Sequence, residues 1–146
     1  MNKLYSQVKK LWVEALRSNS YLQGRDRLRA LTAESDRFCC LGVLCDLYRK
    51  SKDNTDNLQW ESNSNPEGAM SFDRVTGSLP PIVAIWAGSN SINMSVYKPA
   101  LRDEYKKKFG KTCGINLNDF GFTSLAELND FGFTFKEIAE IIEEHF

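Results

Sequence analysis

The chain begins with apolar residues that recur three, four and one positions apart between Lys3 and Arg17. These apolar positions are Leu4, Val8, Leu11, Trp12, Ala15 and Leu16. Because an α-helix has 3.6 residues per turn, this spacing places them on one face and predicts an amphipathic helix. The polar run from Ser18 to Ser20 predicts where that helix ends.

The next patterned segment, Phe38–Tyr48, is almost wholly apolar and contains a single charged residue, Asp46. A run of this kind predicts a helix in the core. It holds three of the four cysteines, and their spacing fits neither a disulfide framework nor a zinc site, because there is no CxxC pair and no nearby histidine. We therefore expect reduced thiols in the core of an intracellular protein.

A cysteine nucleophile is the alternative interpretation of the same segment. Cys39 and Cys40 could lie at a helix N-terminus, where the helix dipole lowers the pKa of a thiol. A cysteine hydrolase also needs a base, and the only histidine, His145, is the penultimate residue. Free cysteines are among the most buried residue types, so a packing role for Cys39, Cys40 and Cys45 is favoured.

Proline and glycine delimit the elements that follow. Two prolines predict a short helix over Pro80–Trp86, with Gly88 as its C-terminal cap. The same logic predicts a helix over Pro99–Phe109. The mostly polar residues 51–68, interrupted only by a short apolar stretch, predict a long surface loop or a pair of short strands.

The heptapeptide LNDFGFT occurs twice, at Leu117–Thr123 and eleven residues later at Leu128–Thr134. Two copies are too few for a solenoid. The second copy leads into a Thr-Phe-Lys-Glu sequence, which is a capping-box pattern. This pattern predicts a final helix that begins at Phe135.

The last residues, 123–146, are expected to form a helical pair whose first, shorter helix covers 123–130. The pair resembles a helix-turn-helix in length, but its second helix carries four glutamates against one lysine. Because phosphate contacts need a basic surface, duplex DNA is not an expected partner. The tail is rich in phenylalanine, at positions 120, 122, 131, 133, 135 and 146. Two small helices cannot easily bury so many rings, and an exposed cluster would favour self-association or a partner surface.

Charge is balanced over the whole chain, with nineteen basic and nineteen acidic residues. This balance excludes the overall basic field of a protein that coats nucleic acid, so any anion binding must be local. The strongest local feature is Arg25, Arg27 and Arg29. If this segment is extended, the three side chains share one face, where phosphate or carboxylate would relieve their repulsion.

Tyr21 and Gln23 continue the same alternation and offer an aromatic ring and an amide to a base. The predicted ligand-binding residues are therefore Tyr21, Gln23, Arg25, Arg27, Arg29 and Arg37. The alternative is a solvated face with Asp26 and Glu34 as partners.

Together these patterns predict one α+β domain over residues 1–146 that is compact and mostly helical. We expect about five helices and a small sheet or hairpins near residues 21–31 and 58–75, and an all-α fold is the runner-up. No secretion signal or membrane-spanning run is present, which predicts a cytoplasmic protein. The sequence contains no metal or cofactor motif, so no cofactor is expected.

Several segments carry a family resemblance. They include the run FCCLGVLCDLY at Phe38–Tyr48, the Leu79-Pro80-Pro81 turn before Trp86, and LNDFGFTFKEIA at Leu128–Ala139. Together they resemble a family of small accessory proteins encoded by bacteriophages and prophages, over most of the chain. The resemblance implies the cytoplasm of an infected bacterium and an action on the host, including its antiviral defences. It carries over no catalytic or binding residues.

The favoured function is that of a non-enzymatic phage accessory protein that binds and inactivates a host component. It would do so by sequestering a small anionic, nucleotide-like signal or by blocking a defence protein, and self-association is left open. The alternative is a small hydrolase that degrades a nucleotide-type molecule with a cysteine or with carboxylates. Carboxylates available for such chemistry are Asp46, Glu61, Asp73 and Asp119.

Overall fold

A computed structural model describes residues 3–62, 68–109 and 114–146 of the chain. The α-helices within these residues are α1 (Ser6–Arg17), α2 (Cys40–Lys50), α3 (Pro81–Ala87), α4 (Asp103–Phe109), α5 (Leu125–Asp130) and α6 (Phe135–His145). A short 3-10 helix covers Lys98–Ala100. Helices α1, α3 and α5 pack against α2, and α6 packs against α1 and α5.

The strands within the same residues are β1 (Leu22–Gln23), β2 (Arg29–Leu31), β3 (Asp36–Phe38), β4 (Trp60–Ser62), β5 (Ala69–Phe72), β6 (Ser95–Tyr97) and β7 (Phe122–Ser124). The first five form one mixed sheet in the order β1-β3-β2-β5-β4, in which only the β1–β3 pair is parallel. The last two form a separate antiparallel sheet that pairs Tyr97 with Phe122.

The apolar run seen in the sequence lies at the centre of the core. Residues from Cys40 to Cys45 are buried, and the indole nitrogen of Trp12 donates to the Cys40 carbonyl at 2.9 Å. Gly42 faces the backbone that leads into β2. A Cβ at this position would lie 1.8 Å from the carbonyl oxygen of Leu28, so only glycine allows α2 to approach the sheet this closely.

Several predictions are confirmed by this architecture. The fold is α+β, and the five-stranded sheet rules out the all-α alternative. Residues near 21–31 and 58–75 supply four of its strands, as predicted. Helix α3 begins at Pro81 and ends before Gly88, which adopts the left-handed conformation. Helix α6 begins at Phe135, and both hydrogen bonds of the capping box are present.

Other boundaries were wrong. Phe38 belongs to β3, so the core helix begins two residues later than predicted, and α1 begins at Ser6. The single helix predicted over Pro99–Phe109 is broken, because Leu101 has an extended backbone between the 3-10 helix and α4. Of the predicted loop or strand pair at 51–68, β4 occupies the middle, and residues 63–67 lie outside the described residues.

The shorter C-terminal helix also starts later than predicted. Thr123 lies in β7, and α5 begins at Leu125. The reason is local, since the Ser124 hydroxyl accepts a hydrogen bond from the Glu127 amide at 3.1 Å and caps the helix there. Residues Phe122–Ser124 pair with β6 as a strand instead.

Candidate functional site

The predicted arginine face does not form, because residues 24–28 connect two strands. Strand β1 ends at Gln23, and Asp26 has a φ of 69°, which turns the chain. Nor is the segment a hairpin, because β1 pairs with β3 instead of β2. The prediction that Arg25, Arg27 and Arg29 share one side of an extended segment was therefore wrong.

Arg29 and Arg37 lie on opposite faces of the sheet. Arg29 of β2 is paired with Phe38 of β3, and Arg37 of β3 is paired with Ala30 of β2. Side chains of paired residues lie on the same face of a sheet, whereas side chains of successive residues in a strand lie on opposite faces. Arg25 and Arg37 are exposed and Arg27 is half-buried. None of these three has an ion pair with another described residue, although Arg37 donates to the Gln23 carbonyl at 3.2 Å.

Arg29 itself is held inside the structure. Its guanidinium donates two hydrogen bonds to the Asp36 carboxylate, at 2.7 and 2.8 Å. The same group lies 5.0 Å from the ring centroid of Phe38 and 5.4 Å from that of Trp60. A bidentate ion pair between two rings fixes the side chain, so Arg29 connects β2 with β3.

Tyr21 belongs to a polar cluster around the buried carboxylate of Asp46. That carboxylate accepts hydrogen bonds from the Tyr21 hydroxyl at 2.7 Å, the Arg49 Nε at 2.8 Å and the Trp60 indole at 3.0 Å. Burial alone would raise the pKa of Asp46, but these three donors outweigh it and lower the pKa to about 2. Asp46 is thus an ionised structural group and a poor general acid.

Gln23 also has a structural role. Its side-chain nitrogen donates to the Asn129 side chain and to the Phe133 carbonyl, both at 2.8 Å, and its side-chain oxygen accepts from the Phe135 amide at 3.1 Å. These bonds join β1 to the start of α6. Both amide hydrogens of Gln23 are engaged in these bonds, so its side chain supports the fold.

Tyr21 and Gln23 nevertheless meet at a surface groove of about 360 Å³. The groove lies where the end of α1, strand β1 and the start of α6 come together. Its lining consists of Leu16, Asn19, Tyr21, Leu22, Gln23, Thr134, Phe135 and Lys136. We call it the β1 groove. It brings together two of the six predicted ligand residues and none of the four arginines.

The thiols are core residues, as predicted. Cys39, Cys40 and Cys45 are all buried, and burial raises the pKa of each, for Cys39 to about 12. Cys39 does cap α2 by accepting from the Gly42 amide, but desolvation of the thiolate outweighs the help from the helix end. Among the described residues, no group of three or more His, Cys, Asp or Glu side chains could hold a metal ion.

A second candidate surface lies on the small β6–β7 sheet. Phe120 is 85 % exposed, Phe122 is 69 % exposed and Tyr97 is 38 % exposed. The rings of Tyr97 and Phe122 are neighbours across the two strands, with centroids 5.3 Å apart. We call these three residues the aromatic face. The charges nearest to it in sequence are Lys98 and Asp119, which pair with each other at 3.8 Å.

Sequence reasoning anticipated exposed tail aromatics but missed several contributors to these surfaces. Strand β6, which brings Tyr97 beside Phe122, follows a polar run with no clear alternation. Lys136 and Asn19 join the β1 groove only because α1 and α6 pack side by side. No local signal reports such packing.

The chain is a small α+β domain. Its described cysteines pack in the core, and the ionised Asp46 carboxylate has a structural role. The model of the family described as a domain of unknown function (DUF8296) matches residues 4–146, and the chain belongs to that family. Searches of curated proteins and of solved structures found no match. Over the described ranges, every helix is too short or too polar to cross a membrane.

Proposed function

We propose that this chain is a non-catalytic binding protein that attaches to a host protein through the aromatic face and blocks it. The resemblance to bacteriophage and prophage accessory proteins supplies the setting, in which the blocked protein belongs to the antiviral defence of a bacterium. The contact surface consists of Tyr97, Phe120 and Phe122, and no cofactor takes part.

One observation carries this proposal: Phe122 on β7 and Phe120, two residues before it in the chain, are both exposed, and the Phe122 ring lies beside the ring of Tyr97. Phenylalanine normally contributes to the core, and contiguous exposed aromatic residues mark interaction sites. The opposite side of the same strands is buried through Val96 and Thr123. The aromatic face is therefore the outer side of an element that is already anchored to the core.

Binding is favoured over chemistry by the state of the candidate catalytic groups. A cysteine hydrolase needs an accessible thiolate, whereas burial raises the pKa of Cys39, Cys40 and Cys45. The carboxylate of Asp46 is enclosed by three donors that already satisfy it. These groups support the fold, which leaves the exposed rings as the better candidate for activity.

A protein partner is favoured over a second copy because of the size of the surface. An aromatic side chain buries about 150–250 Å², so three partly exposed rings fall short of the ~800 Å² per partner of a standard interface. A few aromatic anchors can still provide most of the binding energy when they enter apolar pockets of a partner. The aromatic face fits that mode of binding better than a flat self-paired dimer.

The test compares two double variants of the tagged protein. Phe120→Ser with Phe122→Ser removes the aromatic face, and Leu31→Ser with Ile85→Ser removes exposed apolar residues elsewhere as a matched control. Proteins retained from bacterial extracts are identified, purified and titrated by calorimetry. We expect the first variant to bind about a hundredfold or more weakly, because aromatic hot spots are each worth about 2 kcal/mol, and the control to bind like the wild type.

Two results would contradict the proposal. The first is a purified partner that binds the Phe120→Ser, Phe122→Ser variant as tightly as the wild type. The second is a wild-type dimer in light scattering that this variant turns into a monomer, which would make the aromatic face a self-association surface. A supporting result also requires that the wild-type protein inhibits the activity of the captured partner and the variant does not.

A further inference from the structure

The β1 groove differs from the other described grooves in its charge. Its lining contains one cation, Lys136, and no carboxylate. Three other surface grooves, of about 300 to 460 Å³, each include two glutamates in their lining. These grooves also contain two or three cations each, and Lys136 itself lines the one with Glu137 and Glu140, so the β1 groove is distinguished among the four by a cation in a lining without carboxylates.

The walls of the β1 groove are apolar and aromatic. Leu16, Leu22, Phe135 and the ring of Tyr21 form them, and Asn19 and Lys136 provide exposed polar groups. A volume of about 360 Å³ lies within the range of small-molecule sites, which combine mostly apolar walls with a few polar groups. The lining thus suits a small ligand with a flat apolar part and an anionic group.

The aromatic wall is held in place by the fold. The Tyr21 hydroxyl is fixed on Asp46, its ring meets Phe38 edge-on with centroids 4.9 Å apart, and the Lys50 ammonium lies 5.4 Å from the Tyr21 centroid. Gln23 similarly fixes the start of α6 through its bond to the Phe135 amide. A rigid site loses little conformational entropy when it binds, which favours affinity.

The attraction for an anion does not rest on the α6 N-terminus. The Glu137 carboxylate already accepts hydrogen bonds from the Thr134 amide and hydroxyl, at 3.1 and 3.0 Å, and opposes the positive end of the helix. Lys136 is the source of positive charge in the lining. Its side chain is exposed, and no described residue forms an ion pair with it.

We propose that the β1 groove binds a small nucleotide-like anion, with the flat ring against Tyr21, Leu22 and Phe135 and the phosphate on Lys136. This site lies apart from the aromatic face and goes beyond the proposed blocking of a protein. It retains Tyr21 and Gln23 from the predicted ligand site, Gln23 as a support, and replaces the arginines by Lys136.

The probe for the test is adenosine monophosphate, titrated by calorimetry or NMR against the full chain, with adenosine and inorganic phosphate as partial ligands. We expect saturable binding of the nucleotide. Lys136→Glu should weaken it about tenfold or more, because it replaces a charge-assisted hydrogen bond to the phosphate by a carboxylate that repels the phosphate. Lys52→Glu, at an exposed lysine outside the groove lining, is the matched control and should bind normally.

A second pair of variants tests the apolar wall. Leu22→Glu places a carboxylate in the groove, and Leu31→Glu places one on another exposed strand position of the same sheet. Only the first should abolish nucleotide binding, and melting temperatures should show that both fold.

Absence of saturable binding at millimolar nucleotide would overturn the proposal, as would unchanged binding by Lys136→Glu or Leu22→Glu. The Phe120→Ser, Phe122→Ser variant should bind the nucleotide normally, so the two proposals can fail separately.

Discussion

The two copies of LNDFGFT have identical sequences and different structures. The first copy, Leu117–Thr123, leads into β7. The second copy, Leu128–Thr134, contains the end of α5, a turn and the N-cap of α6. Seven identical residues thus end as a strand in one place and as a helix cap in the other, which shows that their local preferences do not decide the structure.

Equivalent residues in the two copies have different surroundings. Phe133 is completely buried, whereas its counterpart Phe122 is exposed. Asn129 is buried and bonds the Gln23 side chain, the Cys40 amide and the Gly24 carbonyl, whereas Asn118 is exposed. The second copy is therefore part of the framework that holds β1, α2 and α6 together.

This difference separates residues that hold the fold together from residues that are exposed and available for the proposed binding. In the second copy the Asn129 side chain bonds three residues that are more than 85 positions away in the chain. In the first copy Phe120 and Phe122 are both exposed, and the Phe122 ring lies beside the ring of Tyr97. An exposed apolar residue that lowers solubility and does not support the core is a good candidate for binding. Equivalent residues of the two copies serve as matched controls for one another.

The largest expected effect separates the two phenylalanines. Phe133→Ala should lower the free energy of unfolding by about 3–5 kcal/mol, because it empties a fully buried site. Phe122→Ala should change it by less than about 0.5 kcal/mol, as exposed surface positions usually do. Urea denaturation followed by circular dichroism measures both values. Similar losses in the two variants would show that Phe122 supports the fold and would remove the basis of the aromatic face.

The sequence predicted best where the signals are local. Thr134 and Glu137 are three residues apart and form their capping box within one turn, so the start of α6 was correct. Ser124 and Glu127 carry the same kind of signal, which would have placed the start of α5 correctly as well. The strand in the first copy was missed because its partner, β6, has only three residues and no distinctive pattern.

The candidate site was harder to predict because its residues are assembled over long distances. Tyr21 and Gln23 were singled out and do line the β1 groove, but their partners are Asp46, Asn129 and Phe133, and Gln23 is 106 positions from Asn129. The alternation rule failed for Arg25 and Arg27 because a turn at Asp26 interrupts the strand. A sequence shows which side chains have the chemical groups to bind a ligand, whereas the packing of the fold decides which of them are exposed to it.

A smaller effect should separate the two asparagines. Asn129→Ala should lower the free energy of unfolding by about 2–3 kcal/mol, because it leaves the Cys40 amide and the Gly24 carbonyl without this partner in a buried setting. Asn118→Ala should have an effect below about 0.5 kcal/mol, since its side chain is exposed. Equal effects in a denaturation experiment would mean that the first copy is as structural as the second.

The smallest effects concern the two threonines, and only the substitution in the second copy should destabilise the protein. Thr134→Val removes the hydroxyl that accepts from the Glu137 amide at 3.2 Å, so it should destabilise the protein by about 1 kcal/mol.

The Thr123 hydroxyl is buried, and the described residues offer it no hydrogen-bond partner. Thr123→Val keeps the branched shape that suits a strand and removes the cost of this unpaired group, so the variant should be as stable as the wild type or more stable by up to about 1 kcal/mol. Thermal unfolding of the two variants side by side measures the difference. A Thr123→Val variant that loses as much stability as Thr134→Val would reveal a partner for the Thr123 hydroxyl, and the first copy would then be anchored through its polar groups as the second one is.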